Sequence, residues 1–184
     1  MVHALGETYT LAPSGKPIAL FFYPKSGSYG CTKEACQFRD ALADKDLFKR
    51  SNIEVVGISS DSVDAQKTFV EKQKLTYPVL SDEKGEVRKA YSVGKGLFGL
   101  VETARVTFII DSKGVVRDAH DTTLNYSAHV KFISKWLDKL EAEEKKAAEP
   151  TAEPDASAAA PTIAAVPEGE AIGELGKAAE AVQA

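Results

Sequence analysis

IALFFYPKSGSYGCTKEACQFRD, residues 18–40, joins three kinds of sequence in one run. Ile18 to Tyr23 is unbroken apolar and aromatic sequence, the pattern of a strand buried on both faces. Pro24 to Gly30 is rich in Pro, Gly and Ser, residue types that interrupt regular structure. Beyond it Ala35, Phe38 and Leu42 recur at helical spacing, which predicts a helix over residues 32–50. Strand, short loop and helix in that order open an α/β layer fold.

The rest of the chain extends this alternation. Strands are expected at 53–60 (IEVVGISS), 78–81 and 105–111 (RVTFIID). Helices are expected at 62–75, where Ser62 and Asp64 can cap free amides, at 86–91, and at about 127–140, where Val130, Ile133, Trp136 and Leu137 share a face. Ser112-Lys113-Gly114 is a turn into a hairpin partner at 115–120. The pattern implies a mostly parallel central sheet with crossover helices and a late antiparallel edge, a mixed sheet flanked by helices.

Composition divides the chain in two. Residues 141–184 hold 15 Ala, four Pro, ten acidic residues and three Lys, with no aromatic side chain. Such a segment buries too little apolar surface to offset its ordering entropy, so it is read as a disordered acidic tail behind a domain of residues 1–140. The tail accounts for the acidity, since the whole chain carries a net charge of −4. Lysines interleaved with acids argue against nucleic-acid binding. The longest apolar run, Ile18 to Tyr23, is far below the roughly 20 residues of a spanning helix, so no membrane role is expected. The N-terminus MVHALGETYT shows neither a secretory nor a transit pattern, and the expected address is intracellular, cytoplasmic or nuclear.

The chain has two cysteines, Cys31 and Cys36. A thiol attacks as its thiolate, and Cys31 stands where a helix begins, with first-turn amides and the dipole favouring negative charge. Cys36 lies deeper, beside Ala35 and Phe38, and reads as a partly buried, ordinary thiol. Five residues along a helix separate two Cα atoms by roughly 8–9 Å, beyond the reach of about 7 Å for a disulfide. If the two are a working pair, the first turns of the helix must unwind. Zinc is disfavoured, because His3, His120 and His129 have no ligand spacing with the cysteines; a C-x-x-C redox motif is absent.

These residues resemble the active-site segment of the atypical two-cysteine peroxiredoxins of the peroxiredoxin Q, or bacterioferritin comigratory protein, group. The likeness continues through GISSDS (57–62), YPVLSDEKGEVRKAYSV (77–93) and RVTFIIDSKGVV (105–116). It implies a thioredoxin-like fold and a monomeric peroxidase that reduces hydrogen peroxide and organic hydroperoxides with electrons from thioredoxin, using no metal or other cofactor. On that resemblance Cys31 is the peroxidatic cysteine and Cys36 the resolving one, joined in a Cys31–Cys36 disulfide during turnover. Pro24 matches the proline that shields the sulfenic acid, and Ser28 takes the place of a threonine whose hydroxyl bonds the thiolate and the peroxide. Arg105 matches the family's arginine, a fixed cation for thiolate and peroxide. Glu34 is a candidate to orient an arginine, and Arg39 is read as structural.

Two features depart from the family pattern. Tyr29 stands where Thr-Pro-Gly-Cys has proline, and about 17 residues precede IALFFY, fewer than the family's N-terminal hairpin region. The same thiol chemistry also fits a peroxide-sensing switch whose oxidised form changes partner binding. A thioredoxin-fold adaptor with inert cysteines is the third reading.

Overall fold

The computed structural model describes residues 2–148 apart from 4, 5, 13, 45, 46 and 49–51. In chain order its elements are β1 (Val2–His3), β2 (Ile18–Phe22), α1 (Tyr29–Ala43), β3 (Glu54–Ser59), α2 (Val63–Gln73), β4 (Val79–Ser81), α3 (Glu86–Ala90), a 3₁₀ turn (Leu97–Gly99), β5 (Val106–Ile110), β6 (Val116–Asp121) and α4 (Tyr126–Ala148). The strands form one mixed sheet in the order β1-β4-β3-β2-β5-β6.

β2 is central and apolar on both faces, as its unbroken run requires. Ala19, Phe21 and Tyr23 point into a core shared with Phe38 of α1, Phe69 of α2, and Ile133 and Leu137 of α4. Ile18, Leu20 and Phe22 point into a second core with Val56, Ile58, Leu80, Val106 and Ile110, covered in part by Val87, Tyr91 and Val93. The Phe21 ring crosses Gly57, its partner on the parallel β3, where a Cβ would stand 2.8 Å from the ring. Only glycine admits the ring there.

The sheet is less parallel than expected. β2 pairs with β3 and β3 with β4 in parallel, but β5 runs antiparallel to both β2 and β6, and β1 antiparallel to β4. The physical reason lies between β4 and β5: the five-residue α3 and an irregular stretch do not carry the chain back across the sheet as a full crossover helix would. β5 therefore starts where β2 ends, with Phe22 opposite Val106.

Helix ends also moved. α1 begins three residues before the expected Thr32 and stops at Ala43, short of residue 50. Asp44, the C-cap residue, puts an acid at a helix C-terminus, where the dipole disfavours it, and Phe48 turns back to bury itself and donate its amide to the Ala41 carbonyl. α4 continues to Ala148, eight residues past the expected boundary at 140. The remainder of the acidic tail, from residue 149, lies outside the described residues. Among the described residues no helix is long and apolar enough to cross a membrane, and no three metal-ligating side chains converge.

Candidate active site

The register of β5 on β2 sets the site. Arg105 immediately precedes β5 and so stands at the end where β2 gives way to the Pro24–Ser28 loop. That loop is held from the side. Asp61 Oδ2 accepts from the Ser26 amide at 2.6 Å, and the buried Gln66 of α2 takes Tyr23 Oη at 2.6 Å and Ser26 Oγ at 3.0 Å on its Oε1. Gly27, at φ 78, supplies the left-handed turn that brings the chain to Ser28. Ser28 is the extended N-cap of α1.

Cys31 lies in the first turn of α1 with 1% of its surface exposed. Arg105, 5% exposed, donates from Nη2 to Cys31 Sγ at 3.2 Å. Its Nη1 pairs with Glu34 Oε2, and its Nε donates to the Thr123 carbonyl at 3.2 Å. Cys31 and Glu34 are three residues apart on one helix and so present a common face to the guanidinium. The Tyr126 ring, at the start of α4, stacks 5.0 Å from the guanidinium carbon. The same ring covers Gly30, where an added Cβ would come within 2.6 Å of it.

Behind this pair sits a second buried shell. His129 Nε2 lies 3.7 Å from Glu34 Oε1 and 3.1 Å from the Thr122 carbonyl, and Nδ1 is 2.8 Å from Thr107 Oγ1. A carbonyl only accepts, so Nε2 carries the proton and the Thr107 hydroxyl donates to Nδ1. Burial is the main reason that the His129 ring is held neutral, its pKa lowered to about 4. Burial likewise pushes Glu34 up to about 7, and the opposing pull of Arg105 does not cancel it. For Arg105, burial works against the charge, but Glu34 and Cys31 together outweigh it and raise the pKa.

The other candidates are placed as follows. Cys36 is half-buried, its Sγ 3.6 Å from Gln73 Oε1, and both cysteines are free thiols on an intact helix. Pro24 is half-buried at the end of β2. The Ser28 hydroxyl differs from expectation: it donates to the Lys25 carbonyl at 3.0 Å and is turned into its own loop. Arg39 braces α1 on α2 through the Gln73 carbonyl at 2.6 Å. A groove of about 630 Å³ between α1 and α4, lined by Gln37, Ala41, Val130 and Ser134, contains none of Cys31, Cys36 and Arg105.

Sequence reasoning did not single out Tyr126, Thr107, Thr123 or Gln66, and it weighed His129 only as a metal ligand. Two signals were available. His129 falls four residues before Ile133 on the apolar face of α4, and Thr107 is a hydroxyl inside a buried strand; both patterns announce a buried polar partner.

The chain that carries this buried cysteine and its arginine is similar to known proteins over most of its length. The AhpC/TSA family profile covers residues 4–119. The chain belongs to the AhpC/TSA family. Within it, the relatives are peroxiredoxins Q. The chloroplastic peroxiredoxin Q of Suaeda salsa is 40% identical over 126 residues, covering 68% of this chain and 57% of the relative. That of Arabidopsis thaliana is 41% identical over 134 residues, covering 67% and 60%. The chain thus spans less than two thirds of the length of these relatives. Among solved structures, the peroxidoxin BcpB of Mycobacterium tuberculosis superposes with a TM-score of 0.66 at 39% identity, over 77% of this chain and 90% of that one. A Xanthomonas campestris bacterioferritin comigratory protein gives 0.65 at 27% identity, over 77% and 89%. The thioredoxin-like peroxiredoxin fold is therefore established.

The expected cytoplasmic or nuclear address is corrected by the same comparison. The peroxiredoxins Q of Suaeda salsa, Sedum lineare, Populus jackii and Arabidopsis thaliana are chloroplastic proteins, against that expectation. An address is written in targeting segments that a folded domain does not need, so the residues of the fold carried no information about it.

Proposed function

We propose that this chain is a thiol peroxidase in which Cys31 is the peroxidatic cysteine. The Cys31 thiolate attacks one oxygen of a hydroperoxide; the O–O bond breaks, the sulfur becomes a sulfenic acid, and the other oxygen leaves as water or an alcohol after taking a proton. Cys36 then attacks the sulfenic sulfur, water leaves, and the Cys31–Cys36 disulfide forms. A dithiol protein of the thioredoxin class returns two electrons and two protons, restoring both thiols. The chain acts as a monomer on hydrogen peroxide and organic hydroperoxides, without metal or organic cofactor. The Xanthomonas campestris relative, described for alkyl peroxide reduction activity, is consistent with that substrate class.

The observation that carries the reading is the 3.2 Å contact of Arg105 with Cys31 Sγ. It sets a buried, fixed cation beside the sulfur, where it serves both the thiolate and the peroxide oxygens as charge moves between them. Glu34 holds that arginine in place, and Pro24 walls the sulfur from water. Ser28 joins the site by rotating its hydroxyl from Lys25 toward the incoming peroxide.

The test is the intact mass and free-thiol count seconds after one equivalent of hydrogen peroxide. Loss of two hydrogens with both thiols consumed is expected. Cys31→Ser abolishes turnover, and Cys36→Ser permits one oxidation but stalls recycling. Two unreacted thiols in the unaltered chain would sink the reading.

A further inference from the structure

Large apolar side chains that remain exposed on soluble proteins are commonly scattered singly, but here all except Val115 and Val116 among the described residues collect at one end. Phe98 is fully exposed, Leu100 is 84%, Leu124 77% and Tyr29 72% exposed. Strand register places all four at the end of the sheet that holds Cys31. The loop 94–102 leads directly into Arg105, and the Ala104 Cα stands 3.1 Å from where a Gly96 Cβ would be. Leu124 lies between β6, whose Asp121 pairs with Val106, and Tyr126, whose ring covers Gly30. Tyr29 is the residue before Gly30.

The loop is also built to hold its side chains outward. Leu97 and Phe98 both adopt left-handed backbone, φ 47 and 55, which a non-glycine residue enters only under constraint. The constraint is visible: Gly96 and Val101 exchange backbone hydrogen bonds, and Glu102 is pinned by Arg88 and Lys95, each at 2.9 Å. Arg88 and Lys95 share the one Glu102 carboxylate, and the Lys33 amine lies over the Tyr29 ring at 4.7 Å. The rim therefore offers large apolar side chains with cations at their edge.

We infer that Tyr29, Phe98, Leu100 and Leu124 form the docking rim for the dithiol protein that reduces the Cys31–Cys36 disulfide, an inference that rests on the peroxidase reading above. The chemistry requires a partner that brings a thiolate to a sulfur recessed in the fold, and a partner whose own thiol is set in an apolar face covers these four side chains while the cations at the rim's edge stay in water. Size favours the same occupant. Four such side chains expose on the order of 500–700 Å², short of the roughly 1,000 Å² or more per partner of permanent homodimers and in the range of transient redox encounters.

The experiment compares the full chain with Phe98→Ser/Leu100→Ser and with Val115→Ser/Val116→Ser, a smaller exposed apolar pair at the opposite end of the sheet. Three rates are read: oxidation by hydrogen peroxide, reduction of the disulfide by dithiothreitol, and kcat/KM for thioredoxin. The rim variant is expected to keep the first two and lose tenfold or more in the third, while the control keeps all three. An unchanged kcat/KM in the rim variant, or an equal loss in the control, overturns the inference. So does a rim variant that only dissociates a dimer in sedimentation, which would assign the surface to a second copy. An unaltered chain that retains both thiols after peroxide overturns the peroxidase reading itself, and the docking inference with it, before any variant is compared.

Discussion

Arg105 Nη2 lies 3.2 Å from Cys31 Sγ although the two residues are 74 positions apart in the chain. The contact exists because β5 runs antiparallel to β2, which delivers residue 105 to the end of the sheet where α1 begins. One planar cation serves Cys31, Glu34 and the Thr123 carbonyl from its separate nitrogens. A lysine keeps the charge but cannot form this fork. Arg105→Lys is expected to slow oxidation of Cys31 by peroxide by about 10²-fold, the usual loss on removing one preorganised donor. Quenched-flow thiol counting with an unaltered circular dichroism spectrum checks this; a rate within threefold of the parent would remove Arg105 from the chemistry.

Much of this was legible in the sequence, and the exceptions have physical causes. β2 and the Pro/Gly/Ser loop could be read because apolar runs and turn residues act locally. The antiparallel entry of β5 could not, since strand direction depends on how the chain returns after the short α3. Cys31 and Cys36 were evident from their spacing, and Arg105 only through its motif. Tyr126 and His129 belong to a helix whose docking on α1 is a long-range event, and nothing local marks which α4 residue will cover Gly30. The Ser28 rotamer is decided by competition between Lys25 and the sulfur, which no pattern encodes.

Glu34 and His129 titrate in overlapping ranges with opposite sign. Glu34 is raised to about 7 by burial, so the fold holds a proton there that the unfolded chain releases above its ordinary range near 4.5. Its stabilisation is present below about pH 4.5 and is lost as pH rises to 7. In Glu34→Gln this loss disappears, and the stability of the parent relative to the variant is expected to fall by at most about 3 kcal/mol across that interval. Urea titrations at pH 4.5 and 7.5 measure it. A difference independent of pH would mean that Glu34 stays ionised in the fold. The oxidation rate of the parent should also carry an inflection near pH 7 that the variant lacks.

His129 gives the reverse slope. Its pKa is lowered to about 4, chiefly by burial, from the ordinary 6.5. The unfolded chain therefore takes up a proton below pH 6.5 that the fold refuses, and stability is lost as pH falls from 6.5 toward 4. Between 4.5 and 6.5 the two groups offset one another in the parent. His129→Asn, which keeps one donor and one acceptor, uncovers the Glu34 slope, so that stability decreases with rising pH. A variant whose stability stays as flat as the parent's from pH 4.5 to 6.5 would show that His129 is not the group responsible.

Gly30 and Tyr126 form a fitted pair. A methyl group at residue 30 would meet the Tyr126 ring at 2.6 Å, too close for any relaxed contact. Gly30→Ala is expected to destabilise by about 1–3 kcal/mol, the range for overpacking. In a Tyr126→Ala background the ring is gone and the same substitution should be close to neutral, or mildly stabilising through helix propensity. The four-member cycle yields a coupling energy of at least about 1 kcal/mol if the ring is the obstacle. Additive effects would place the strain elsewhere in the first turn.

The proposed Cys31–Cys36 disulfide requires α1 to open. Cys31 and Cys36 sit about a turn and a half apart on α1, out of disulfide reach while it is wound. The turns between them are fastened from outside by the Tyr77 hydroxyl, which donates to the Ala35 carbonyl at 2.8 Å, and from within by the Thr32 amide, which donates to the N-cap Ser28 carbonyl at 2.8 Å. Forming the disulfide breaks this fastening. Amide hydrogen exchange over residues 29–36 is expected to quicken by at least tenfold in the oxidised protein while β2 and β3 stay protected, and Tyr77→Phe, which releases one tie, should speed disulfide formation without altering the first oxidation of Cys31. Unchanged exchange in a protein whose mass shows the disulfide would mean that the two sulfurs meet by another movement, and the helix would have to be retained in both redox states.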